Sequence, residues 1–309
     1  MNFIKGFTFG WDSQRGDFKL ARAKESLQLM KERTGSEYVI IALAALQATA
    51  HSTKIDYTGL HMVADDELIE MIEYAKSLDL KVILKPTVNC SDGTWRAHIN
   101  FFDYDVPCEP KWSDWFANYT DYQLHYAAIA EKTGCAMYII GCEMVQTERK
   151  EQQWRHLITQ VRKIYSGPIT YNADKYQEAN VAWWDAVDVI SSSGYYPIND
   201  WDRQLDRIEA TIKQYNKPFF FAEAGCPSRT GSGKVPNDWG LVGEVNVDEQ
   251  AAYYQTMFDK TARREWVKGF GLWDWATHLY EEEQVLSDSG YGVYGKPSEA
   301  IIKAFYQSR

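Results

Sequence analysis

Ala136-Met-Tyr-Ile-Ile-Gly-Cys-Glu143 and Pro218-Phe-Phe-Phe-Ala-Glu223 are two short apolar runs that each end on a glutamate. Neither repeats its apolar residues at helical spacing, and both are rich in β-branched or aromatic side chains. Each therefore reads as a strand buried on both faces, the kind found in parallel sheets. A carboxylate at the tip of such a strand has lost water without an obvious partner nearby in sequence. Either a neighbour neutralises it or its altered acidity is put to use.

Working outward from these runs, the same signature gives eight strand candidates: Ile4–Phe9, Tyr38–Leu43, Val82–Lys85, Met137–Gly141, Ile169–Tyr171, Val189–Ser192, Phe219–Phe221 and Phe270–Trp273. Amphipathic stretches lie between them. Leu68, Ile69, Ile72 and Ala75 share one helical face, as do Trp154, Leu157, Ile158, Val161 and Ile164, and again Leu205, Ile208 and Ile212. Asp65 and Asp248 are expected as N-caps, and Gly35, Gly134 and Gly167 as helix stops. The helix around Glu178–Asp185 is the weakest and is expected to be short. This alternation predicts a (β/α)8 TIM barrel, one catalytic domain over residues 1 to 309, with the glutamates on the fourth and seventh strands. A doubly wound sheet is disfavoured, because no G-x-G-x-x-G follows the first strand and no G-x-x-x-x-G-K-[ST] occurs.

Composition narrows the partners. With 45% hydrophobic residues in 309, the chain can bury a large core, and no linker-like segment divides it. A formal charge of -10 with no basic patch argues against nucleic acid and anionic membranes. Five cysteines, an odd number without a CxxC pair, suit a reducing compartment. Neither a signal-peptide core nor a membrane-length apolar run is present, so the cytoplasm is the expected location. Oligomeric state is not legible.

In a barrel of this kind the site lies past the C-terminal ends of the strands. That rule collects Trp11, Asp12, Gln47, Lys85, Thr87, Asn89, Cys142, Glu143, Asn172, Asp174, Tyr195, Tyr196, Glu223, Trp273 and Trp275. There is no His pair at metal spacing, no G-x-S-x-G and no Cys–His pair close in sequence, so neither metal nor cofactor is expected. Twelve Trp and 20 Tyr exceed what such a core needs, and Trp11, Trp95, Trp183, Trp184, Trp239, Trp273 and Trp275 fall in or beside loops. Aromatic faces pack on the C–H faces of sugar rings, so the excess favours a carbohydrate ligand.

Several segments together resemble glycoside hydrolase family 113, within the clan A retaining glycosidases. They are Val82-Ile-Leu-Lys-Pro-Thr-Val88, Trp95-Arg96, Ile139-Ile-Gly-Cys-Glu143, Gly167-Pro-Ile-Thr-Tyr171, Gly194-Tyr-Tyr-Pro197, Lys217-Pro-Phe-Phe-Phe-Ala-Glu-Ala-Gly225 and Gly271-Leu-Trp-Asp-Trp275, in order over nearly the whole chain. The resemblance implies a retaining endo-β-1,4-mannanase acting on β-mannan or manno-oligosaccharides, with or without transglycosylation. In it Glu143 would be the acid/base and Glu223 the nucleophile, with Tyr195 or Tyr196 donating to Glu223. Trp11, Lys85, Asn89, Trp95, Arg96, Asn172, Trp273 and Trp275 would bind substrate. Many clan A enzymes carry Asn before the acid/base, where it serves the sugar 2-hydroxyl. Here Cys142 stands at that position, and Asn172 is the expected substitute.

Other readings fit less of the chain. Lys85 could form a Schiff base as in aldolases, but both glutamates and the aromatics would then lack a role. It reads better as a donor to sugar hydroxyls or an ion-pair partner. A non-catalytic sugar-binding barrel would be marked by loss of one carboxylate, and both are present. Another clan A specificity, for xylan, glucan or galactan, stays open because specificity resides in loops. The Gly-rich loop Gly225–Glu244 is expected to be mobile and to shape a subsite or lid.

Overall fold

The computed structural model describes residues 1–309. All eight apolar runs become strands: β1 (Ile4–Phe9), β2 (Tyr38–Gln47), β3 (Lys81–Cys90), β4 (Met137–Cys142), β5 (Ile169–Ala173), β6 (Val189–Ser193), β7 (Phe219–Ala224) and β8 (Val267–Trp275). They pair in parallel in sequence order, and β8 returns to β1 to close the barrel. Seven helices surround it: α1 (Ala21–Thr34), α2 (Asp65–Ser77), α3 (Trp112–Thr133), α4 (Glu151–Arg162), α5 (Trp201–Tyr215), α6 (Val247–Thr261) and α7 (Pro297–Gln307). Between β5 and β6 the expected short helix is only a 3-10 turn, Trp184–Ala186. Trp183 and Trp184 fill the place of a helix there, with Trp183 stacked on Trp154 of α4 at 4.9 Å.

Helix ends follow their chemistry with three exceptions. Gly35 and Gly134 do end α1 and α3 in the left-handed conformation that glycine adopts without penalty. Asp65 lies inside the first turn of α2, whose N-cap is Ala64. Asn246 rather than Asp248 caps α6, accepting the Glu249 N–H at 2.9 Å. Gly167 lies beyond α4, beneath the Tyr165 ring, where a Cβ would meet the hydroxyl at 2.3 Å.

Side chains alternate between two cores. Ile4, Ile40, Ile83, Met137, Ile139, Val189, Phe220 and Ala222 fill the barrel interior, while Tyr138, Ile140, Phe219 and Phe221 face the helices. β2 and β3 outrun their predicted runs: β2 continues through Ala44, Ala45 and Leu46 to Gln47, and β3 through Thr87 and Asn89 to Cys90. At other strand tips the two-residue period breaks. Three strands carry an extra residue there: β4 between Ile139 and Cys142, β7 between Phe221 and Glu223, and β8 between Leu272 and Trp275. Such bulges turn every following side chain to the other face.

The seam between the first and last strands is held from outside. The Tyr306 hydroxyl of α7 accepts the Gly6 N–H at 3.1 Å and donates to the Gly6 carbonyl at 3.0 Å. Gly269 on β8 has φ +129°, and a Cβ there would lie 2.2 Å from the Ile4 carbonyl oxygen. We predict that Gly269→Ala destabilises the protein by about 2–3 kcal/mol or more in denaturant unfolding; an unchanged midpoint would contradict this close approach.

Glu148, past β4, is buried; Tyr171 donates to its Oε1 at 2.7 Å, and its Oε2 has no partner. Burial, against the Tyr171 hydrogen bond, pushes the carboxyl up to about 8. The unfolded value is about 4.3, so this group's contribution to stability is full below that pH and is lost as pH rises through 8. Glu148→Gln should remove that loss: relative to the variant, wild-type Tm should fall between about pH 5 and 8. Parallel Tm profiles would mean that Glu148 is not held neutral.

Candidate active site

Glu143 follows the β4 bulge and takes a left-handed backbone conformation, φ +53°. Arg96, from the segment after β3, donates to its Oε2 at 3.1 Å, and Ser193 at the end of β6 donates to Oε1 at 2.7 Å. Arg96 is itself fixed by the Cys142 carbonyl and by Asn89 Oδ1, both at 2.8 Å. The guanidinium thus carries Glu143 and the backbone that precedes it.

Glu223 enters the mouth from β7. By strict alternation after Phe220 and Ala222 it would face the helices, and the β7 bulge turns it inward. Lys85 donates to its Oε1 at 2.6 Å, and the Cys142 thiol approaches the same oxygen at 3.3 Å. Tyr195 donates to Oε2 at 3.0 Å. Burial works to raise the Glu223 carboxyl, but Lys85 and Arg96 outweigh it and hold the group below its ordinary value. Burial and the Glu223 charge push the Cys142 thiol far up, so it stays protonated and donates. Burial likewise keeps Tyr195 a phenol.

One oxygen of Glu143, one of Glu223 and Cys142 Sγ all lie within 4.8 Å of one another. This set is a poor metal site, since the thiol is protonated and Lys85 and Arg96 already occupy oxygens of the two carboxyl groups. Both glutamates open into a cleft of about 580 Å³. Trp11, Trp273 and Trp239 form one wall, with buried Tyr291 packed against Trp239; Trp11 and Trp273 are 5.2 Å apart, and Trp239 and Tyr291 5.0 Å. Trp11 is oriented by its indole N–H, which donates to Asp274 at 2.7 Å. Trp95, Asp174 and Lys175 line the opposite side.

Of the twelve residues expected at the site, Trp11, Asn89, Trp95, Arg96, Glu143, Tyr195, Glu223 and Trp273 line this cleft, and Lys85 lies in the narrower pocket beneath it. Three do not reach it. Trp275 is turned outward by the β8 bulge, packs on Phe7 and donates its indole N–H to Ser26. Tyr196 points away from its neighbour and donates to Glu178 at 2.6 Å. Asn172 is fully buried and donates to the Ala173 carbonyl and to Ser193 Oγ, each at 3.0 Å, so it stands behind the serine that contacts Glu143.

Ser193, Lys175 and Asn237 are contributors that the strand-end rule did not select. The polar run Ser191-Ser192-Ser193 at the tip of an apolar strand was the available signal for the first. The Gly225–Glu244 loop is tied down: Arg229 donates to the Ser289 and Leu241 carbonyls, and Ser228 to Asp288. Buried Lys296, at the start of α7, holds Ser228 Oγ at 2.8 Å and Asp288 at 2.6 Å.

The model of Glycoside Hydrolase Family 113 matches residues 7–296. A structure described as a complex of a GH113 β-1,4-mannanase is 70% identical, with 100% of both chains covered and a TM-score of 0.99. The GH113 β-mannanase AaManA from Alicyclobacillus acidocaldarius, in complex with ManMIm, is 42% identical, with 100% of this chain and 98% of that one covered and a TM-score of 0.96. A β-D-glucuronidase for Dictyoglomus thermophilum, 16% identical with a TM-score of 0.67, shares the fold over 100% of this chain and 51% of its own. No match was found among curated protein sequences. With a family match over nearly its whole length and two such relatives, the chain belongs to glycoside hydrolase family 113.

Proposed function

We propose that this glycoside hydrolase is a β-1,4-mannanase that works by double displacement with retention. The observation that carries the mechanism is the approach of the two carboxylates, one oxygen of each within 4.8 Å. A retaining pair stands about 5–5.5 Å apart, whereas an inverting pair needs about 6.5–9.5 Å to admit a water. The substrate follows from the 70% identical relative, a β-1,4-mannanase aligned end to end with this chain.

In the first step Glu223, kept ionised by Lys85 and Arg96, attacks the anomeric carbon while Glu143 gives a proton to the departing glycosidic oxygen. The C–O bond to the leaving sugar breaks as the glycosyl ester forms. In the second step Glu143 takes a proton from water, which attacks the same carbon and releases Glu223. A sugar hydroxyl in place of water gives transglycosylation. Tyr195 holds the nucleophile from its other oxygen. Lys85, Arg96 and Cys142 are in place before substrate arrives, so little reorganisation accompanies charge movement.

Glu223→Ala should abolish turnover of manno-oligosaccharides, and azide should restore activity with a glycosyl azide of inverted configuration as product. Glu143→Ala should lower turnover of the same substrates by about 10²–10⁴-fold, and by much less with a dinitrophenyl leaving group that needs no proton. Near wild-type oligosaccharide hydrolysis by either variant would overturn these roles. On a panel of mannotetraose, xylotetraose and cellotetraose, kcat/KM should be highest for mannotetraose; faster cleavage of either other sugar would remove the mannanase reading while leaving the carboxylate roles intact.

A further inference from the structure

The cleft has two dissimilar walls, drawn from opposite halves of the barrel mouth. Trp11 and Trp239 follow β1 and β7, Trp273 lies near the end of β8, and the Trp273 ring centroid lies 5.7 Å from Lys85 Nζ, which binds Glu223. The other wall comes from the ends of β3 and β5, flanking β4 and Glu143. There Asp174, the first residue past β5, is almost wholly buried yet lines the cleft. Its carboxylate meets only the neighbouring Lys175, at 3.3 Å, and no side chain from another element reaches it. Lys175 Nζ also lies 5.6 Å over the ring of Trp95, whose indole is 42% exposed. The three side chains form a bridge between the β3 and β5 loops: an acceptor with spare lone pairs, a cation and an open aromatic face.

We propose that Asp174, oriented by Lys175 and backed by Trp95, is the specificity-determining subsite for the leaving sugar, its carboxylate accepting hydroxyl hydrogen bonds from that ring. This rests on the mannanase reading above. The reacting ring must present its anomeric carbon to Glu223, on the Trp273 side, and its glycosidic oxygen to Glu143. The next ring, beyond that oxygen, then meets the wall beside Glu143. When ionised, Asp174 is an acceptor only, and a sugar offers vicinal hydroxyl donors. Burial, and then the charge of Glu143, push the Asp174 carboxyl up to about 7 against the pull of Lys175. A bound sugar would supply donors that favour the ionised form, and would lay its C–H face on Trp95 as Asp174 takes the hydroxyls.

The test compares a natural leaving sugar with one that lacks hydroxyls. In the wild type, Asp174→Asn, Asp174→Ala and Trp95→Ala, kcat/KM is measured on mannotetraose and on 2,4-dinitrophenyl β-mannobioside. The ratio of the first to the second should fall by about tenfold or more in both Asp174 variants, and less in Trp95→Ala, since hydrogen bonds to a charged acceptor are lost only on the sugar. Asp174→Asn keeps the shape, and Trp95 lies at the surface, so at least these two variants should fold. A ratio unchanged within about twofold, whatever the absolute losses, would overturn the subsite while the wild-type activity leaves the mannanase reading standing. A wild type inactive on both substrates would remove that reading and the subsite with it.

Discussion

Two cations and two carboxyl groups held at the dry end of a barrel are the constraint around which this protein is arranged. Lys85 is 1% exposed and Glu223 4%, so neither side chain could stand there alone; an unpartnered charge at such depth costs several kcal/mol. Their 2.6 Å contact and the Arg96–Glu143 pair make the mouth electrically compensated before any substrate enters. The two pairs are joined through Cys142, whose carbonyl and sulfur accept from Arg96 while its thiol approaches Glu223. The residue that looked like a loss of a sugar-binding asparagine is thus a junction between the two carboxylate systems. Its thiol can serve there because burial keeps it protonated.

Alternation along a strand cannot by itself deliver that arrangement. A barrel interior filled by Ile139, Phe220 and Ala222 commits each strand to a two-residue period, and that period would leave Cys142 and Glu223 among the helices. An extra residue in β4 and another in β7 reset the phase where the apolar core stops and the site starts. Core packing and chemistry are thereby separated along β4 and β7: the lower part obeys the period and the tip breaks it.

This separation explains what could be read from the chain and what could not. All eight strands were legible, because their lower halves are apolar on both faces. The upper ends of β3 and β6 were not, because Thr87, Asn89 and Ser193 break the pattern that marks a strand. Trp273 and Trp275 are two apart and should share a face, yet the β8 bulge sends only the first into the cleft. Adjacent Tyr195 and Tyr196 necessarily point opposite ways, and only the contacts with Glu223 and Glu178 tell which is which. Asn172 failed for a similar reason: a polar residue at a strand tip can serve as the backing of a site rather than its surface. Arg96 was noticeable only as part of a family segment, since nothing in its neighbourhood announces a partner 47 residues away.

The fastening of the seam by Tyr306, together with the anchoring of the outer loops by Lys296, bears on how the molecule can be made. During synthesis β1 emerges first and has only β2 to pair with on one side. Its other edge waits for β8, and for a hydroxyl 300 positions downstream. Until then the growing polypeptide presents an unpaired strand edge and an unfilled apolar lining, the features that favour mispairing between chains. The loop bearing Trp239 likewise lacks the Lys296 contacts to Ser228 and Asp288 until that residue is made. A ribosome-bound intermediate therefore has both glutamates but no finished mouth, and the last helix acts as the latch that converts a curved open sheet into a working barrel.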